Sequence, residues 1–449
     1  MRGISFNSLA LTNNNLALTI GVVALLAGCG ALPFGSAQGR LAQPPSIAAP
    51  ASRLPAGRPG NMVTETVMYS FAGGKDGAIP EAAPVSINGE LYGTTALGGD
   101  AGCSRLPGCG TVYKLSGSGQ ESVLHAFTSI PDGEAPQGLL TVGGKLYGPS
   151  VYGGVAGCKS GEAKGCGTVF ETTLVGKERV LYRFGGKTQG ASPVSQLTFF
   201  KGAFYGEAAS GGVGTCYFAD YPGCGLIFKM SPAGKAGVLY TFKGGKSGGN
   251  PQGGLFIFKG NFFGTTSGGG GGGGCGVSYL CGTAFKMTPS GRVTVLHEFG
   301  RSPYDGASPQ TGLVAINGVL YGTTFTGGAN SCAFSGSPYG CGTVFSLTLS
   351  GYEKVIYSFR GSDGYFPNGL IAVGGKLYGT TRGRGFYLCG TLFELTPSGH
   401  ETTLYQFKGG TDGCGPSSGL TDVDGTLYGT TSGGGAHGEG TLYSVNLKT

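Results

Sequence analysis

Residues 313–324 read Leu-Val-Ala-Ile-Asn-Gly-Val-Leu-Tyr-Gly-Thr-Thr, with an Asn-Gly pair between two apolar runs. An Asn-Gly pair readily adopts the positive φ angles of a type I′ turn, which joins adjacent antiparallel strands. The β-branched and aromatic residues on both sides of the pair favour strands. The stretch therefore predicts a β-hairpin that turns at Asn317-Gly318.

The second half of this hairpin recurs along the chain. Leu-Tyr-Gly-Thr-Thr is repeated, unchanged or in variant form, at intervals of 50–58 residues. Its copies are Leu91–Thr95, Leu146–Ser150, Phe204–Ala208, Phe262–Thr266, Leu320–Thr324, Leu377–Thr381 and Leu427–Thr431. Each copy follows a two-residue turn whose second residue is glycine. Self-similarity at a near-constant period indicates a repeat architecture, here of seven units.

Each unit continues with two more predicted strands. A glycine-rich loop leads to a third strand such as Gly342–Leu347, and a short turn leads to a fourth such as Val355–Phe359. Four antiparallel strands per unit are typical of a β-propeller blade. The chain ends on a third strand, Gly440–Leu447, and an isolated fourth-type strand, Thr66–Phe71, precedes the first unit. The prediction is an all-β, seven-bladed β-propeller of four-stranded antiparallel blades, closed by the N-terminal strand completing the last blade.

Composition excludes several other classes of protein. Of 449 residues, 95 are glycine, and charged residues make up 12% against 39% hydrophobic residues. So much glycine disfavours helices. The hydrophobic share is too high for a charge-driven disordered chain, and glycine lacks the three-residue period of collagen. A solenoid would need capping units at both ends, so the main alternative is another grouping of the strands into blades.

The first residues are typical of an export signal. An apolar run extends from Leu16 to Ala27 and is too short to span a bilayer as a helix. The run ends in Leu-Ala-Gly-Cys29, which resembles the lipobox of bacterial lipoproteins and implies cleavage before Cys29 and lipidation of that cysteine. Gly30 resembles the outer-membrane sorting pattern of Gram-negative lipoproteins. The alternative is an ordinary signal peptide with a chance cysteine.

The chain thus divides into three predicted segments: a lipoprotein signal peptide at 1–28, the lipidated Cys29 with a Pro/Ala/Gly-rich linker at 29–62, and the propeller at 63–449. We expect an exported protein of the cell envelope, anchored to the outer membrane on its periplasmic or outer side. Four arginines and no acid precede residue 63, which reduces the formal net charge from +7 to +3 for the body. A charge this small does not favour nucleic acid. The expected partners are the membrane and a protein or glycan ligand, and the expected state is a monomer.

Twelve of the 13 cysteines lie in the repeats. Ten form close pairs in the loops between second and third strands, and the other two lie in the sixth unit and in the loop that follows it. In an exported protein such pairs predict disulfides; a metal site usually needs more ligands than two cysteines. The predicted bonds join Cys103 to Cys109, Cys158 to Cys166, Cys216 to Cys224, Cys275 to Cys281, Cys332 to Cys341 and Cys389 to Cys414. For the last pair, two unpaired thiols are the alternative.

Alternating strand direction places the cysteine loops and the inter-blade loops on one face of the predicted ring. Long loops on a rigid scaffold are where binding sites usually lie, whereas the opposite face has only tight turns. Aromatic loop residues that offer a stacking surface to sugars are Tyr217, Tyr221, Tyr279, Tyr339 and Tyr387. We call this surface the loop face.

Few residues suggest reactive chemistry. Aspartate precedes glycine at five equivalent inter-blade positions, Asp76, Asp132, Asp305, Asp363 and Asp412. Carboxylates there could bind calcium or another hard cation, but Asp-Gly also makes turns. Because no second acid recurs beside them, we favour turns and predict neither a metal nor a cofactor. Glu207 replaces the first threonine of the repeated sequence and is a candidate general acid or base, with repeat drift as the simpler interpretation.

The recurrent Leu-Tyr-Gly-Thr-Thr, Gly-Cys-Gly-Thr and Leu-Tyr-Ser-Phe-like segments resemble the GloVer tandem-repeat family over residues 63–449. The resemblance implies a propeller-like bacterial surface protein and brings no activity with it. The sequence favours a membrane-anchored extracytoplasmic binding or scaffolding module that acts through its loop face, because the loops lack a reactive constellation. The alternative is a carbohydrate-active enzyme, a glycan hydrolase or lyase, that uses the same face.

Overall fold

The computed structural model gives the body of the chain seven antiparallel β-sheets arranged in a ring. The described residues are 63–99, 103, 107–160, 163–218, 221–270, 281–302, 304–330, 332, 340–383 and 389–447. The predicted signal peptide, Cys29 and the linker lie outside them. Each sheet contains the four strands of one blade, which confirms the predicted seven-bladed β-propeller.

The blades follow one another in chain order, and each runs from its first to its fourth strand. Blade one comprises Val85–Ile87, Glu90–Thr95, Thr111–Leu115 and Glu121–Ala126, and blade two comprises Gly133–Pro136 with Leu140–Val142, Lys145–Gly153, Thr168–Thr173 and Glu178–Arg183. Blade three comprises Thr198–Phe200, Ala203–Ala208, Leu226–Met230 and Ala236–Thr241, and blade four comprises Gly249–Pro251 with Phe256–Phe258, Asn261–Gly268, Thr283–Met287 and Val293–Glu298.

The remaining blades repeat the pattern. Blade five comprises Gly306–Ala307 (paired with Thr326–Gly327), Val314–Ile316, Val319–Thr324, Thr343–Leu347 and Glu353–Ser358. Blade six comprises Tyr365–Val373, Lys376–Gly383, Thr391–Leu395 and Glu401–Gln406. Blade seven comprises Cys414–Pro416 with Thr421–Val423, Thr426–Gly433, Thr441–Asn446 and Glu65–Ser70. The loops add two short hairpins, Lys159–Ser160 with Ala163–Lys164 and Tyr217–Phe218 with Tyr221–Pro222, and 3-10 turns at Gly74–Asp76, Lys187–Gln189, Gly245–Ser247 and Gly410–Asp412.

The N-terminal strand closes the ring. Glu65–Ser70 pairs antiparallel with Thr441–Asn446, so the fourth strand of blade seven comes from the beginning of the propeller segment. This strand lies one residue before the predicted Thr66–Phe71. Phe71 follows it and is fully buried, with its ring 5.0 Å from that of Tyr113 in blade one. The closing strand therefore contacts both of the blades that meet at the closure.

The first strand of blade two has two parts. Gly133–Pro136 and Leu140–Val142 both pair with Lys145–Gly153, the second strand of the same blade. The pairing is interrupted after Pro136, which has no backbone N–H to donate, and resumes at Leu140.

Aromatic rings join each blade to the next. The phenylalanine that follows each fourth strand meets an aromatic ring in the third strand of the next blade, with ring centroids 4.9–5.4 Å apart. The pairs are Phe71–Tyr113, Phe127–Phe170, Phe184–Phe228, Phe242–Phe285, Phe299–Phe345, Phe359–Phe393 and Phe407–Tyr443. Edge-to-face pairs contribute about 0.5–1.5 kcal/mol beyond burial. The glycine of Leu-Tyr-Gly-Thr-Thr makes room for this ring: a Cβ on Gly322 would lie 2.6 Å from Phe345.

A backbone hydrogen bond also joins each blade to the next. Near the start of each blade, the residue before a proline donates its N–H to a carbonyl of the preceding blade, at 2.8–3.1 Å. The donors and acceptors are Ile79 to Glu439, Ala135 to Cys109, Ser192 to Cys166, Asn250 to Cys224, Ser308 to Cys281, Phe366 to Cys341 and Gly415 to Cys389. The six non-glycine donors have φ of 54–57°, a conformation that needs such support. The Gly-Cys-Gly-Thr segments thus hold neighbouring blades together.

Candidate functional site

The disulfide loops and the inter-blade turns contact each other on the loop face. Cys216 and Cys224 are bonded, with Cα atoms 4.7 Å apart, and a Cβ added to Gly244 in the following inter-blade turn would lie 3.0–3.1 Å from their sulfurs. The described bonds are Cys103–Cys109, Cys158–Cys166, Cys216–Cys224, Cys332–Cys341 and Cys389–Cys414. Cys281 is also disulfide-bonded, while Cys275 lies outside the described residues. These bonds indicate an extracytoplasmic protein.

One disulfide links two blades. Cys389 and Cys414 have Cα atoms 4.3 Å apart, and the bond spans 25 residues, whereas the other described bonds span 6–9 residues. Cys414 begins the first strand of blade seven, and Cys389 precedes the third strand of blade six. The structure therefore contains the pairing expected for the two cysteines left over by the loop pairs.

Of the five candidate tyrosines, only Tyr221 has a described side chain. Its ring is half-buried, and its hydroxyl accepts a 2.7 Å hydrogen bond from the backbone N–H of Lys187. Tyr221 thus ties the loop of blade three to the preceding inter-blade turn, which is a structural role. The side chain of Tyr217, and all of Tyr279, Tyr339 and Tyr387, lie outside the described part of the structure.

Glu207, the candidate acid or base, is fully buried between blades three and four. Its Oε2 accepts a 2.8 Å hydrogen bond from the Gly254 backbone N–H, while Oε1 has no hydrogen-bond partner. In five other blades a threonine at this position donates across the same interface, as Thr265 does to the Thr311 carbonyl. Burial raises the pKa of Glu207 to about 7. The carboxyl group therefore holds two blades together and does not face solvent, where a substrate would bind.

The five inter-blade aspartates close their turns, as predicted. Asp76 ends a 3-10 turn, and its Oδ2 accepts a 2.6 Å hydrogen bond from the backbone N–H of Ala72. The other four aspartates accept equivalent bonds from the backbone three or four residues earlier. In a turn without aspartate, the Ser247 hydroxyl accepts the same kind of bond from Lys243 at 3.1 Å. Turn closure thus accounts for one oxygen of each aspartate.

The expectation that no second acid accompanies these aspartates is wrong, because the fold places a glutamate next to each of them. A glutamate from the fourth strand of the next blade faces each aspartate, and a tyrosine or histidine from the preceding blade faces the same point. We call these groups carboxyl clusters. Their members are Tyr69, Asp76 and Glu121; His125, Asp132 and Glu178; His297, Asp305 and Glu353; Tyr357, Asp363 and Glu401; Tyr405, Asp412 and Glu65. The acids are far apart in sequence, so inspection of each repeat alone does not pair them.

Burial, and then the neighbouring aspartate, raises the pKa of each glutamate in the carboxyl clusters. The pKa values of Glu65 and Glu121 rise to about 8, and those of Glu178, Glu353 and Glu401 rise to about 7. Two acids that lie close together cannot both ionise without a cost in free energy. Each of these glutamates therefore keeps its proton to a higher pH than a glutamate in water.

At each blade junction, the inter-blade aspartate and the glutamate that faces it are either both present or both absent. The two inter-blade turns without aspartate carry Gln189 and Ser247, and the facing strand positions in the next blades hold Ala236 and Val293. Ala236 and Val293 occupy the strand register of Glu353 in blade five. A lone buried carboxyl group costs free energy when it lacks a partner. Five blade junctions therefore contain the complete acid pair and two contain neither acid.

The two histidine clusters differ in geometry from the tyrosine clusters. In the tyrosine clusters the phenol donates directly to the aspartate at 2.5–2.7 Å. His125 Nε2 lies 3.0 Å from Asp132 Oδ2. In the other cluster His297 Nε2 lies 3.5 Å from Asp305 Oδ2 and 3.8 Å from Glu353 Oε2. One ligand-type atom from each residue of either histidine cluster lies within 4.8 Å of the others.

Two shallow cavities lie on the tight-turn face, opposite the loop face. One has a volume of about 360 Å³ and the other about 330 Å³. Lys286 and Arg292 line the first, and Lys229 and Lys235 line the second. Both are open grooves between strand turns, with lysine or arginine at their edges. Neither contains any of the residues that the sequence analysis selects as candidates.

A family profile decides where the repeat belongs. The profile of the Gloeobacter/Verrucomicrobia repeat matches residues 58–277, 157–334 and 275–449, which together span the propeller. The chain belongs to this family. The resemblance of its repeats to the GloVer family is thereby confirmed. No curated protein matches this GloVer chain. Within the described residues, no helix has the length and apolar character needed to cross a membrane.

Several solved structures are similar to the GloVer propeller at low sequence identity. A Xanthomonas campestris gluconolactonase is 13% identical, with a TM-score of 0.41, over 93% of this chain and 100% of that chain. The puromycin-hydrolyzing peptidase of Mycobacterium tuberculosis is 10% identical, with a TM-score of 0.50, over 86% of this chain and 55% of that chain. The computationally designed Ika8 protein is 13% identical, with a TM-score of 0.44, over 84% of this chain and 99% of that chain. This likeness concerns the fold alone.

Proposed function

We propose that this GloVer propeller is a membrane-anchored binding or scaffolding module that recognises its ligand through the loop face. The observation that supports the proposal is the concentration of cross-links on one side of the ring. The described disulfides cross-link the loops of that face, and cysteine sulfur atoms lie against the inter-blade turns. A cross-linked loop loses less conformational freedom than an open loop when a ligand binds. In this proposal Cys29 carries the lipid, and residues 30–62 form the tether.

Apolar side chains on the loop face add support. Seven large hydrophobic side chains are exposed among the described residues. Four of them, Ile130, Val155, Val213 and Tyr304, belong to loops of the loop face. Exposed apolar groups at a rigid surface contribute to association when a partner covers them. A protein or glycan ligand that covers these loops would bury them.

The carbohydrate-active enzyme alternative is less well supported. A glycosidase needs two carboxyl groups that flank a bound sugar. Glu207 is buried between blades, and the acids of the carboxyl clusters face each other across blade junctions rather than a common open cleft. Glu353, for example, exposes only 9% of its side chain. The arrangement therefore favours binding without chemistry.

A binding screen with matched surface variants tests the proposal. The purified protein is immobilised and screened against a glycan array and against solubilised envelope proteins. We expect at least one ligand whose retention is lost in the double variant Val155→Asp, Val213→Asp on the loop face. Val175, which is 87% exposed in a turn of the opposite face, provides the control Val175→Asp. Retention of the ligand by the double variant, or its loss in the control, would contradict use of the loop face.

A further inference from the structure

We propose that His297, Asp305 and Glu353 form a binding site for a divalent transition-metal ion of the zinc class. His297 lies in the fourth strand of blade four, Asp305 in the turn that follows it, and Glu353 in the fourth strand of blade five. A metal ion at this point would cross-link two blades at the periphery of the ring. The inference is independent of ligand binding by the loop face.

Three atoms that commonly bind metals lack a hydrogen-bond partner in this cluster. They are His297 Nε2, Asp305 Oδ1 and Glu353 Oε1. The side chains of Asp305 and Glu353 are only 7% and 9% exposed. Buried polar atoms are nearly always hydrogen-bonded, so each exception calls for a physical explanation. Unpartnered carboxyl oxygens also occur in other carboxyl clusters, but among the described clusters this one alone combines them, on both acids, with an unpartnered ring nitrogen. A cation would satisfy all three atoms.

The distances also favour a metal over direct hydrogen bonds. His297 Nε2 is 3.5 Å from Asp305 Oδ2 and 3.8 Å from Glu353 Oε2. Hydrogen bonds between nitrogen and oxygen are usually about 2.7–3.2 Å long. Zinc ligands lie about 2.0–2.2 Å from the metal, which separates two ligands of a tetrahedral site by about 3.3–3.6 Å. A small inward movement of Glu353 would complete this geometry.

The donor set selects the class of ion. One imidazole nitrogen and two carboxylates suit zinc and similar divalent transition metals. Calcium prefers six to eight oxygen ligands, and an imidazole does not replace them well. A water molecule would occupy the fourth position, as in zinc sites with three protein ligands.

The repeats provide an internal comparison for this site. Five blades have tyrosine at the position of His297. Wherever such a tyrosine meets an acid pair, its phenol donates to the aspartate, so the aspartate is satisfied without a cation. His125 is the other histidine at this position, and its Nε2 already pairs with Asp132 at 3.0 Å. The His297 cluster is therefore the one whose ring nitrogen remains available for a metal.

Cobalt substitution tests the site, because tetrahedral Co²⁺ absorbs visible light where Zn²⁺ does not. The purified full chain is stripped of metal with a chelator and titrated with Co²⁺. We expect one visible absorption band that saturates at one equivalent and is displaced by Zn²⁺. Zn²⁺ should also raise the melting temperature, because an ion that binds only the folded state stabilises it.

His297→Tyr installs the residue that five other blades have at this position and is therefore expected to fold. This variant should lose both the Co²⁺ band and the zinc-dependent rise in melting temperature, and Glu353→Gln should weaken both. His125→Tyr is the matched control and should retain them. Absence of the band in the folded wild-type protein would overturn the proposal. Its persistence in His297→Tyr, or its loss in His125→Tyr, would overturn the assignment as well.

Discussion

Glu207 places an ionisable group where five other blades have threonine, and its burial makes stability depend on pH. The groups that face it are the Gly254 N–H and the Ser195 hydroxyl. Burial raises its pKa from 4.5 to about 7. Between these values the folded state keeps a proton that the unfolded state releases, so stability falls as pH rises through this window. Above it, the cost is on the order of 3 kcal/mol.

Glu207→Gln should remove this dependence. Glutamine still accepts the hydrogen bond from Gly254 but does not ionise. We expect the variant to unfold at a higher urea concentration than the wild-type protein at pH 8 and at nearly the same concentration at pH 4. Asp424→Asn is the control, because Asp424 is exposed in a hairpin turn where blades one and five have asparagine. A difference between Glu207→Gln and wild type that does not grow with pH would contradict the account.

Gly342 shows why glycine follows the second cysteine of each loop. Its φ is 95°, and a Cβ there would lie 2.5 Å from both Pro367 Cδ in the next blade and the Thr324 carbonyl oxygen. Gly342→Ala should therefore destabilise the protein by more than about 1 kcal/mol. Gly237 has open space around it and a φ outside the left-handed region, so Gly237→Ala should be nearly neutral. Equal melting temperatures for the two variants would show that the contact with Pro367 is relieved at little cost.

At the scale of strands, ring closure depends on Glu65–Ser70. Deleting residues 63–71 removes the strand that pairs with Thr441–Asn446 and the buried ring of Phe71. An exposed strand edge promotes association between chains. We expect a lower melting temperature and aggregation, measured by light scattering after size exclusion. Deletion of residues 50–58 in the linker is the control. A monomer with unchanged melting temperature after the first deletion would contradict closure by this strand.

The disulfide between Cys389 and Cys414 should stabilise the junction of blades six and seven. It spans 25 residues, whereas the bond between Cys332 and Cys341 spans 9. On the chain-entropy model these closures contribute about 3.5 and 2.6 kcal/mol. Replacing both cysteines of a pair by serine should therefore lower the melting temperature more for the first pair. Non-reducing peptide mapping checks the bond directly, and free thiols on both Cys389 and Cys414 in oxidised protein would end the claim.

The sequence predicts those features of the fold that depend on residues close together in the chain. The hairpin at Asn317-Gly318 is fixed by neighbouring residues, so the sequence predicts it, and its repetition predicts the ring. The pairing of Asp305 with Glu353 is not local, because it depends on the fourth strand of the following blade. Comparing the repeats position by position would have shown that the two acids occur together. His297 Nε2 lies 3.5 Å from Asp305 and 3.8 Å from Glu353. These distances exceed hydrogen-bond lengths by only a few tenths of an ångström, and no sequence pattern specifies such a difference.

At the scale of the whole molecule, the sequence predicts that a lipid tethers the ring to a membrane. Cys29 follows the apolar run and lies outside the described residues, so its lipidation is a prediction from the sequence. Each buried methylene of an acyl chain contributes about 0.8 kcal/mol to membrane binding, and stable anchoring needs more than one chain. The linker from residue 30 to residue 62, fully extended, would reach roughly 110 Å. The loop face could then meet ligands well away from the bilayer.

Cys29→Ala should abolish this anchoring. Without the thiol there is no atom to acylate, so we expect the protein to remain as an unprocessed precursor or to appear in the soluble fraction. Incorporation of labelled palmitate, together with fractionation of membranes, measures both outcomes. Cys414→Ser is the control, since it removes a cysteine of the propeller and leaves the lipobox intact. The variant Cys29→Ala would refute the anchor if it still incorporated palmitate and partitioned with membranes like the wild-type protein, because the attachment would then lie elsewhere in the chain.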